Sequence, residues 1–306
     1  MKSPLWSVVL AAGSGRRLSG VTGGIPKQFW RPDGSATLVE ETLARLQPLC
    51  GADRTVIVVG EAQRKHVTHW ESDPPRGHVV FQPEDRGTAA GVLFGLVHVL
   101  KRAPNAVVVI TPSDHCVANT DAFRRGILEA LAHVQHQDGV VLFGVEPTAA
   151  LTDYGWIRLD SAETSARVKP VASFVEKPPA DLAQRLLSSG GVWNTMVLVA
   201  RARALLHLCQ KQIPPVTNVF VSFLTLPEKI RDSYLASRYS QMKATDFSRD
   251  VLSRAANLLA YTWPSSIGWS DLGTPERLRT WLNPGSVERP RPQPEATGPN
   301  ALIAAS

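Results

Sequence analysis

The residues able to do chemistry gather first in a loop of small side chains. Ala11-Ala12-Gly13-Ser14-Gly15 runs into Arg16 and Arg17, and Pro26-Lys27-Gln28-Phe29 follows closely. Small residues let backbone amides approach a ligand, and clustered N–H groups beside fixed cations attract phosphate oxygens. Ahead of the loop, Ser7 to Ala11 is short and apolar, the pattern of a buried parallel strand. A dinucleotide fingerprint needs glycine or alanine where Leu18 stands, and a P-loop needs a Gly-Lys-Ser/Thr that this chain lacks. Two readings remain: a strand-to-helix turn with surface arginines, or a phosphate cradle. Arg17 and Lys27 favour the cradle. Arg16 either adds a second phosphate contact or faces solvent.

Carboxylates come next. The predicted strand over Val107 to Ile110 ends in Thr111-Pro112-Ser113-Asp114-His115, and a Gly-bounded loop, Gly268-Trp269-Ser270-Asp271-Leu272-Gly273-Thr274, holds a second aspartate. Two carboxylates plus phosphate oxygens form a ligand set that Mg²⁺ accepts. Each aspartate also precedes a plausible helix start, where a lone Asp serves as an N-cap. His66/His69 and His133/His136 are three apart on predicted helices, a spacing compatible with metal binding. No third ligand can be nominated for either pair, so both are expected on solvated helix faces. His115 is expected to orient its loop and not to act as a base.

The elements that must position these groups alternate between strand and helix. Predicted strands cover Thr55–Gly60, His78–Phe81, Asn105–Thr111, Gly139–Gly144, Tyr154–Leu159, Val168–Val175, Val192–Val199 and Leu258–Trp263. Predicted helices cover Leu38–Leu49, Gly87–Lys101, Asp121–Gln137, Asp181–Leu187 and Arg201–Gln210, while Ile213 to Phe247 shows no clean period. This rhythm predicts an α/β fold, a mostly parallel (mixed) sheet with helices on both faces. Ligands in such sheets bind at the carboxyl ends of the strands. From residue 283 onward Pro284, Pro290, Pro292, Pro294 and Pro299 accompany little apolar content, the composition of a disordered tail.

The bulk numbers exclude some classes. At 306 residues, 43% apolar and 20% charged, the chain has a globular composition, and no apolar run approaches the ~20 residues of a membrane span. The first strand starts almost at once, so no secretory leader is expected. Cys50, Cys116 and Cys209 are far apart and lack a Cys-x-x-Cys pattern, which predicts buried thiols in a cytoplasmic protein. A net charge of +6 suits polyphosphate ligands, but no basic stripe interleaved with aromatics speaks for nucleic acid.

With these residues in view, the chain resembles the sugar-phosphate nucleotidyltransferases, and among them the mannose-1-phosphate guanylyltransferase branch. The resemblance runs from Trp6 to Leu282 in separated motifs in the family's order. The loop Gly13 to Leu18 is similar to Gly-Ser-Gly-Thr-Arg-Leu with Arg16 at the threonine, and Pro26-Lys27-Gln28-Phe29 is intact. Gln82 to Ala89 resembles the base loop, with Gly87, before Thr88, where the family has asparagine. Ser113-Asp114-His115 and Trp269-Ser270-Asp271 resemble its metal-binding motifs, and Phe174-Val175-Glu176-Lys177-Pro178 resembles its sugar and phosphate segment. Thr152 to Ile157, with Gly155, resembles a sugar segment, and Trp193-Asn194-Thr195-Met196 resembles Trp-Asn-Ser-Gly with Met196 replacing glycine.

The resemblance implies a Rossmann-like nucleotide-diphospho-sugar transferase fold, with residues 1–282 as one domain and 283–306 as the tail. The hexapeptide β-helix or second enzyme domain of some members is not expected. It implies transfer of GMP from GTP to mannose 1-phosphate with Mg²⁺; no motif sets the oligomeric state, which is open between a single chain and a homodimer. Ala11, Ala12, Gly13, Ser14, Gly15, Arg16, Gln82, Gly87 and Thr88 would bind nucleotide; Gly155, Glu176 and Asn194 would bind sugar. Arg17, Lys27 and Lys177 would contact phosphates, and Asp114 and Asp271 would hold the metal. The alternatives are another base or sugar, such as a heptose phosphate, or a paralogue that binds sugar nucleotides without catalysis.

Overall fold

The computed structural model describes residues 3–32, 34–71, 76–160 and 166–282, so the expected tail, 283–306, lies outside the described residues. The strands are β1 (Leu5–Ala11), β2 (Thr55–Gly60), β3 (His78–Gln82), β4 (Val107–Pro112), β5 (Cys116–Val117), β6 (Val140–Val145), β7 (Gly155–Leu159), β8 (Val168–Glu176), β9 (Val192–Arg201), β10 (Leu259–Trp263) and β11 (Trp269–Ser270). The helices are α1 (Ser19–Thr22), α2 (Leu38–Leu46), α3 (Thr88–Arg102), α4 (Thr120–Val134), α5 (Ala180–Ser188), α6 (Ala202–Gln212), α7 (Pro214–Thr225), α8 (Glu228–Gln241), α9 (Phe247–Asp250) and α10 (Pro275–Leu282).

Among the described residues nine strands form one sheet in the order β3-β2-β1-β4-β9-β6-β10-β8-β7, and β5 pairs with β11 in a small second sheet. The sheet is mixed. β1 lies parallel between β2 and β4, and β3 is parallel to β2. β9 then runs antiparallel to both β4 and β6, so its first residues reach the edge where β1 and β4 end. The buried apolar runs of β1, β2 and β4 are what two-sided coverage demands. One face packs against α3, α6 and α7, the other against α2, α4 and α5.

Local chemistry sets the helix boundaries. Thr37 and Glu40 make a reciprocal capping box at the start of α2, and Asn119 caps α4. Helix α3 lies close on the sheet because Gly95 has no side chain: a Cβ there would sit 2.3 Å from Val8 Cγ1. The stretch 213–247, which lacks a clean period, holds α7 and α8, and these close the first core with Phe220, Phe223 and Tyr239 against Phe94. Two prolines open α7 at its first positions, where the missing N–H costs nothing. The three cysteines are free and buried, and burial pushes each thiol up to about 12. No helix among the described residues is long and apolar enough to cross a membrane.

Candidate active site at the carboxyl edge of the sheet

The loop after β1 is held open from below by two glutamines. Gln28, nearly buried, donates 2.8 Å hydrogen bonds to the carbonyls of Ala11 and Gly13, and Gln63 donates to Gly13 at 2.7 Å. With those carbonyls tied back, the loop turns its other side outward: Gly13, Ser14 and Arg17 are exposed and Ala12 is half-buried. Gly15 sits at φ +63°, and a Cβ there would lie 2.7 Å from the Lys27 amide nitrogen. Only glycine lets the loop pass so close to Lys27. The side chain of Arg16 lies outside the described residues.

Lys27 joins distant parts of the chain. Its side chain is almost fully buried, its ammonium pairs with Asp114 Oδ2 at 3.1 Å, and it donates to the backbone carbonyl of Asp271. Asp114 follows β4, whose end is pinned by Ser113 donating to the Leu10 carbonyl at 2.7 Å. Neither aspartate is a helix cap. Asn119 caps the helix after Asp114, and Thr274 accepts from the Arg277 amide at the start of α10.

Asp271 sits in a network that no local sequence signal shows. Its Oδ1 accepts from the Tyr154 hydroxyl at 2.8 Å, the Gly273 amide at 2.9 Å and Arg277 at 3.1 Å. Arg277 also pairs with Asp153 at 2.8 Å and lies 4.4 Å from the Tyr154 ring centre. Burial alone would raise the Asp271 carboxyl, but His115, the Tyr154 hydroxyl, the Gly273 amide and Arg277 together hold it below its ordinary value. Burial pushes Tyr154 up, with Asp271 adding, so its hydroxyl stays a donor. Arg45 is the other unheralded residue. Burial pulls it down to about 10, and it donates to Thr42 Oγ1 and the His115 carbonyl, steadying the loop after β4. His115 packs edge-on against Trp269 at 5.3 Å, and burial lowers its imidazole.

Tyr154 leads directly to the sugar candidates. Gly155 pairs with Glu176 across β7 and β8, and Trp156 with Trp193 across β7 and β9. A Cβ on Gly155 would lie 2.6 Å from Glu176 Oε2 and 3.4 Å from Asn194 Cβ, so these three residues form one cluster. Burial raises the Glu176 carboxyl and Asp246 adds to it, against Lys177 and Arg249. Lys177 is exposed, takes a left-handed φ of +49°, and stands 3.9 Å from Glu176.

The base-loop candidates lie further along the same edge. Gln82 is buried, donates to the Glu84 carbonyl at 2.7 Å, and its Oε1 has no partner among the described residues. Gly87 takes φ +83°, ψ 173°, and a Cβ there would lie 2.4 Å from the Thr245 carbonyl oxygen. That explains the departure at this position: asparagine has no room here. Thr88 Oγ1 accepts from the Phe247 amide at 2.8 Å.

Two expectations need correction. His66 and His69 lie on separate short 3-10 turns instead of one helix, and His66 stacks on Phe29 at 4.8 Å instead of facing water. His133 is half-buried at the end of α4, with Nε2 lacking a partner among the described residues, while His136 is exposed. No cluster of three or more His, Cys, Asp or Glu able to hold a metal occurs among the described residues. Asp114 and Asp271 together with ligand oxygens would make an all-oxygen set, the donor chemistry that Mg²⁺ accepts. Asp114 Oδ1 stands 3.9 Å from His115 Nε2, and Arg277 bonds Asp271 through Oδ1, which leaves Oδ2 to turn to a cation.

Comparison with known proteins gives the chain's relatives. Mannose-1-phosphate guanylyltransferase 2 of Escherichia coli O157:H7 is 28% identical over 296 residues, covering 90% of this chain. Alginate biosynthesis protein AlgA of Pseudomonas fluorescens is 30% identical over 272 residues, covering 87%. The chain spans 59% and 56% of the lengths of these two relatives. The crystal structure of mannose-1-phosphate geranyltransferase from Thermus thermophilus superposes with a TM-score of 0.78 at 27% identity, covering 89% of this chain and 77% of that one. The fold is that of the nucleotide-diphospho-sugar transferases. A family model described as Nucleotidyl transferase matches residues 6–283, nearly all of the described chain, and the protein belongs to that family.

Proposed function

We propose that this chain transfers a nucleoside monophosphate, GMP from GTP, to a sugar 1-phosphate, mannose 1-phosphate, and releases pyrophosphate. The observation that carries the reading is the Lys27 ammonium, buried between the Asp114 carboxylate and the Asp271 carbonyl beside an open, glycine-rich loop. The names of the relatives support the guanylyl and mannose assignments.

The attacking oxygen needs no base. A phosphate monoester has a second pKa of about 6, so the sugar phosphate is a dianion at neutral pH. One of its oxygens attacks the α-phosphorus of the triphosphate and forms a new P–O bond. The bond from the α-phosphorus to the bridging oxygen breaks, and its electron pair leaves on pyrophosphate. The task is to align two polyanions and to stabilise charge as it shifts. The loop Ala11 to Arg16 and the side chains of Arg17 and Lys27 hold the triphosphate. Gln82, Gly87 and Thr88 receive the base. Gly155, Glu176 and Asn194 seat the sugar, whose vicinal hydroxyls donate to the Glu176 carboxylate, and exposed Lys177 meets the acceptor phosphate. Asp114 and Asp271 would hold Mg²⁺, which when bound neutralises phosphate charge and polarises the phosphoryl oxygens.

On this reading residues 1–282 act as one nucleotidyltransferase domain. A cytoplasmic setting fits the three unpaired buried thiols. The test is a panel of the common nucleoside triphosphates against several sugar 1-phosphates, read as Mg²⁺-dependent pyrophosphate release, for the wild type, D114N and D271N. One pair should stand out, and both variants should lose turnover while staying folded. Normal rates in both variants refute the metal assignment. Tight binding of sugar nucleotides with no turnover on any pair instead identifies a non-catalytic binding protein.

A further inference from the structure

Strand β9 departs from regular geometry where it passes the sugar cluster. Its register against β6 shifts between Leu142 and Gly144. Thr195 Oγ1 donates to the Phe143 carbonyl at 2.6 Å and accepts from the Val197 amide at 3.3 Å, and Met196 takes φ +60°. Glycine adopts that backbone freely, whereas a long side chain is held there only by its surroundings.

Those surroundings are specific. Val192, Leu198 and Ala200 of β9 enter one core, and Met196 packs against the same core, so Met196 shares the face of Asn194. Its amide donates to Asn194 Oδ1 at 3.2 Å. Its thioether receives the Ser248 hydroxyl at 3.0 Å, and Ser248 is only 5% exposed. Ser248 lies on α9, which packs against β8, the strand that ends at Glu176. The thioether is thus clamped between the strand that carries Asn194 and the turn packed against the strand of Glu176. Methionine normally fills gaps by changing rotamer; here a hydroxyl and a left-handed backbone remove that freedom.

We infer that Met196 is a specificity-determining residue: clamped by Ser248 beside Asn194, its side chain bounds the cluster that would seat the sugar and restricts the acceptor to a sugar 1-phosphate of hexose size. The inference rests on the transferase reading above and deepens it. Removing the side chain should admit an acceptor one hydroxymethyl longer, and glycine at this position fits the backbone without strain.

The experiment compares kcat/KM for the hexose 1-phosphate identified by the panel with that for its one-carbon-longer heptose homologue, at saturating triphosphate. It uses the wild type, M196G, M196A and S248A. One carbon in a closed pocket is worth about 10–200-fold in discrimination, so the hexose-to-heptose ratio should fall at least about tenfold in M196G. The fall should be smaller in S248A, and KM for the triphosphate should stay put in both. If M196G does not fold, as read by thermal melting, M196A and S248A carry the comparison. A ratio that does not move in the folded variants overturns the role of Met196 while leaving the transferase reading intact. A wild type that acts on no sugar 1-phosphate overturns both.

Discussion

Replacing Lys27 by methionine removes an ammonium while keeping most of the side-chain length. The buried lysine pairs with Asp114 at 3.1 Å and satisfies the Asp271 carbonyl, and the Asp114 side chain is 31% exposed. Breaking a fully buried pair costs about 3–5 kcal/mol, and an exposed pair contributes about 0–1 kcal/mol. Water can reach Asp114, so its share falls between these limits, at about 1–2 kcal/mol. The orphaned carbonyl adds about 1–2 kcal/mol. A loss of about 2–4 kcal/mol sits within the ~5–15 kcal/mol stability of a typical domain, so K27M should fold. Catalysis should suffer more. Removing one fixed donor from a developing charge costs about 10²–10³ in kcat. Urea titration measures the first effect and steady-state pyrophosphate release the second. A K27M protein whose kcat stays within about threefold of wild type refutes the reasoning, whatever its stability.

Three further outcomes follow from the geometry. G87A should lose about 2–6 kcal/mol, from left-handed strain and a Cβ driven onto the Thr245 carbonyl, and its KM for triphosphate should rise; an unchanged urea midpoint contradicts the packing described. Burial, then Asp246, raises the Glu176 carboxyl, so the folded chain binds more protons than the unfolded chain just above the ordinary carboxylate value. Stability should then fall as pH rises through that window. E176Q should flatten the fall, and an identical pH–stability curve in wild type and E176Q counts against a raised Glu176. Y154F removes the hydroxyl that orients Asp271 and should raise the Mg²⁺ needed for half-maximal rate by about 10–100-fold; an unmoved Mg²⁺ dependence separates Asp271 from the metal.

What could be read along the chain, and what could not, divides on physical grounds. Short apolar runs carried the strands and helical spacing carried most helices, because burial enforces both. Helices α7 and α8 escaped because α7 is apolar around much of its surface and opens on two prolines, while α8 is mostly exposed. Small residues and carboxylates at strand ends pointed to the edge where Lys27, Asp114 and Asp271 meet. The supporting residues left less of a mark: Arg277 and Arg45 reach partners 124 and 70 residues away, and the segment that holds Tyr154 was legible only as a sugar segment, with nothing in it to place the hydroxyl on Asp271. The asparagine-to-glycine departure at Gly87 became intelligible only once the Thr245 backbone was seen against it. His66 turned inward for a similar reason, since a ring stack with Phe29 depends on how two distant turns meet.

The central claim is that the cluster around Lys27, Asp114 and Asp271 moves a nucleoside monophosphate onto a sugar phosphate. Following the label from GTP carrying ³²P at the α-position, with mannose 1-phosphate and Mg²⁺, tests it most directly. Radioactivity should appear in the sugar nucleotide, in step with unlabelled pyrophosphate. Label that stays in GTP, or that emerges in free GMP or GDP at the same rate whether or not the sugar phosphate is present, contradicts it.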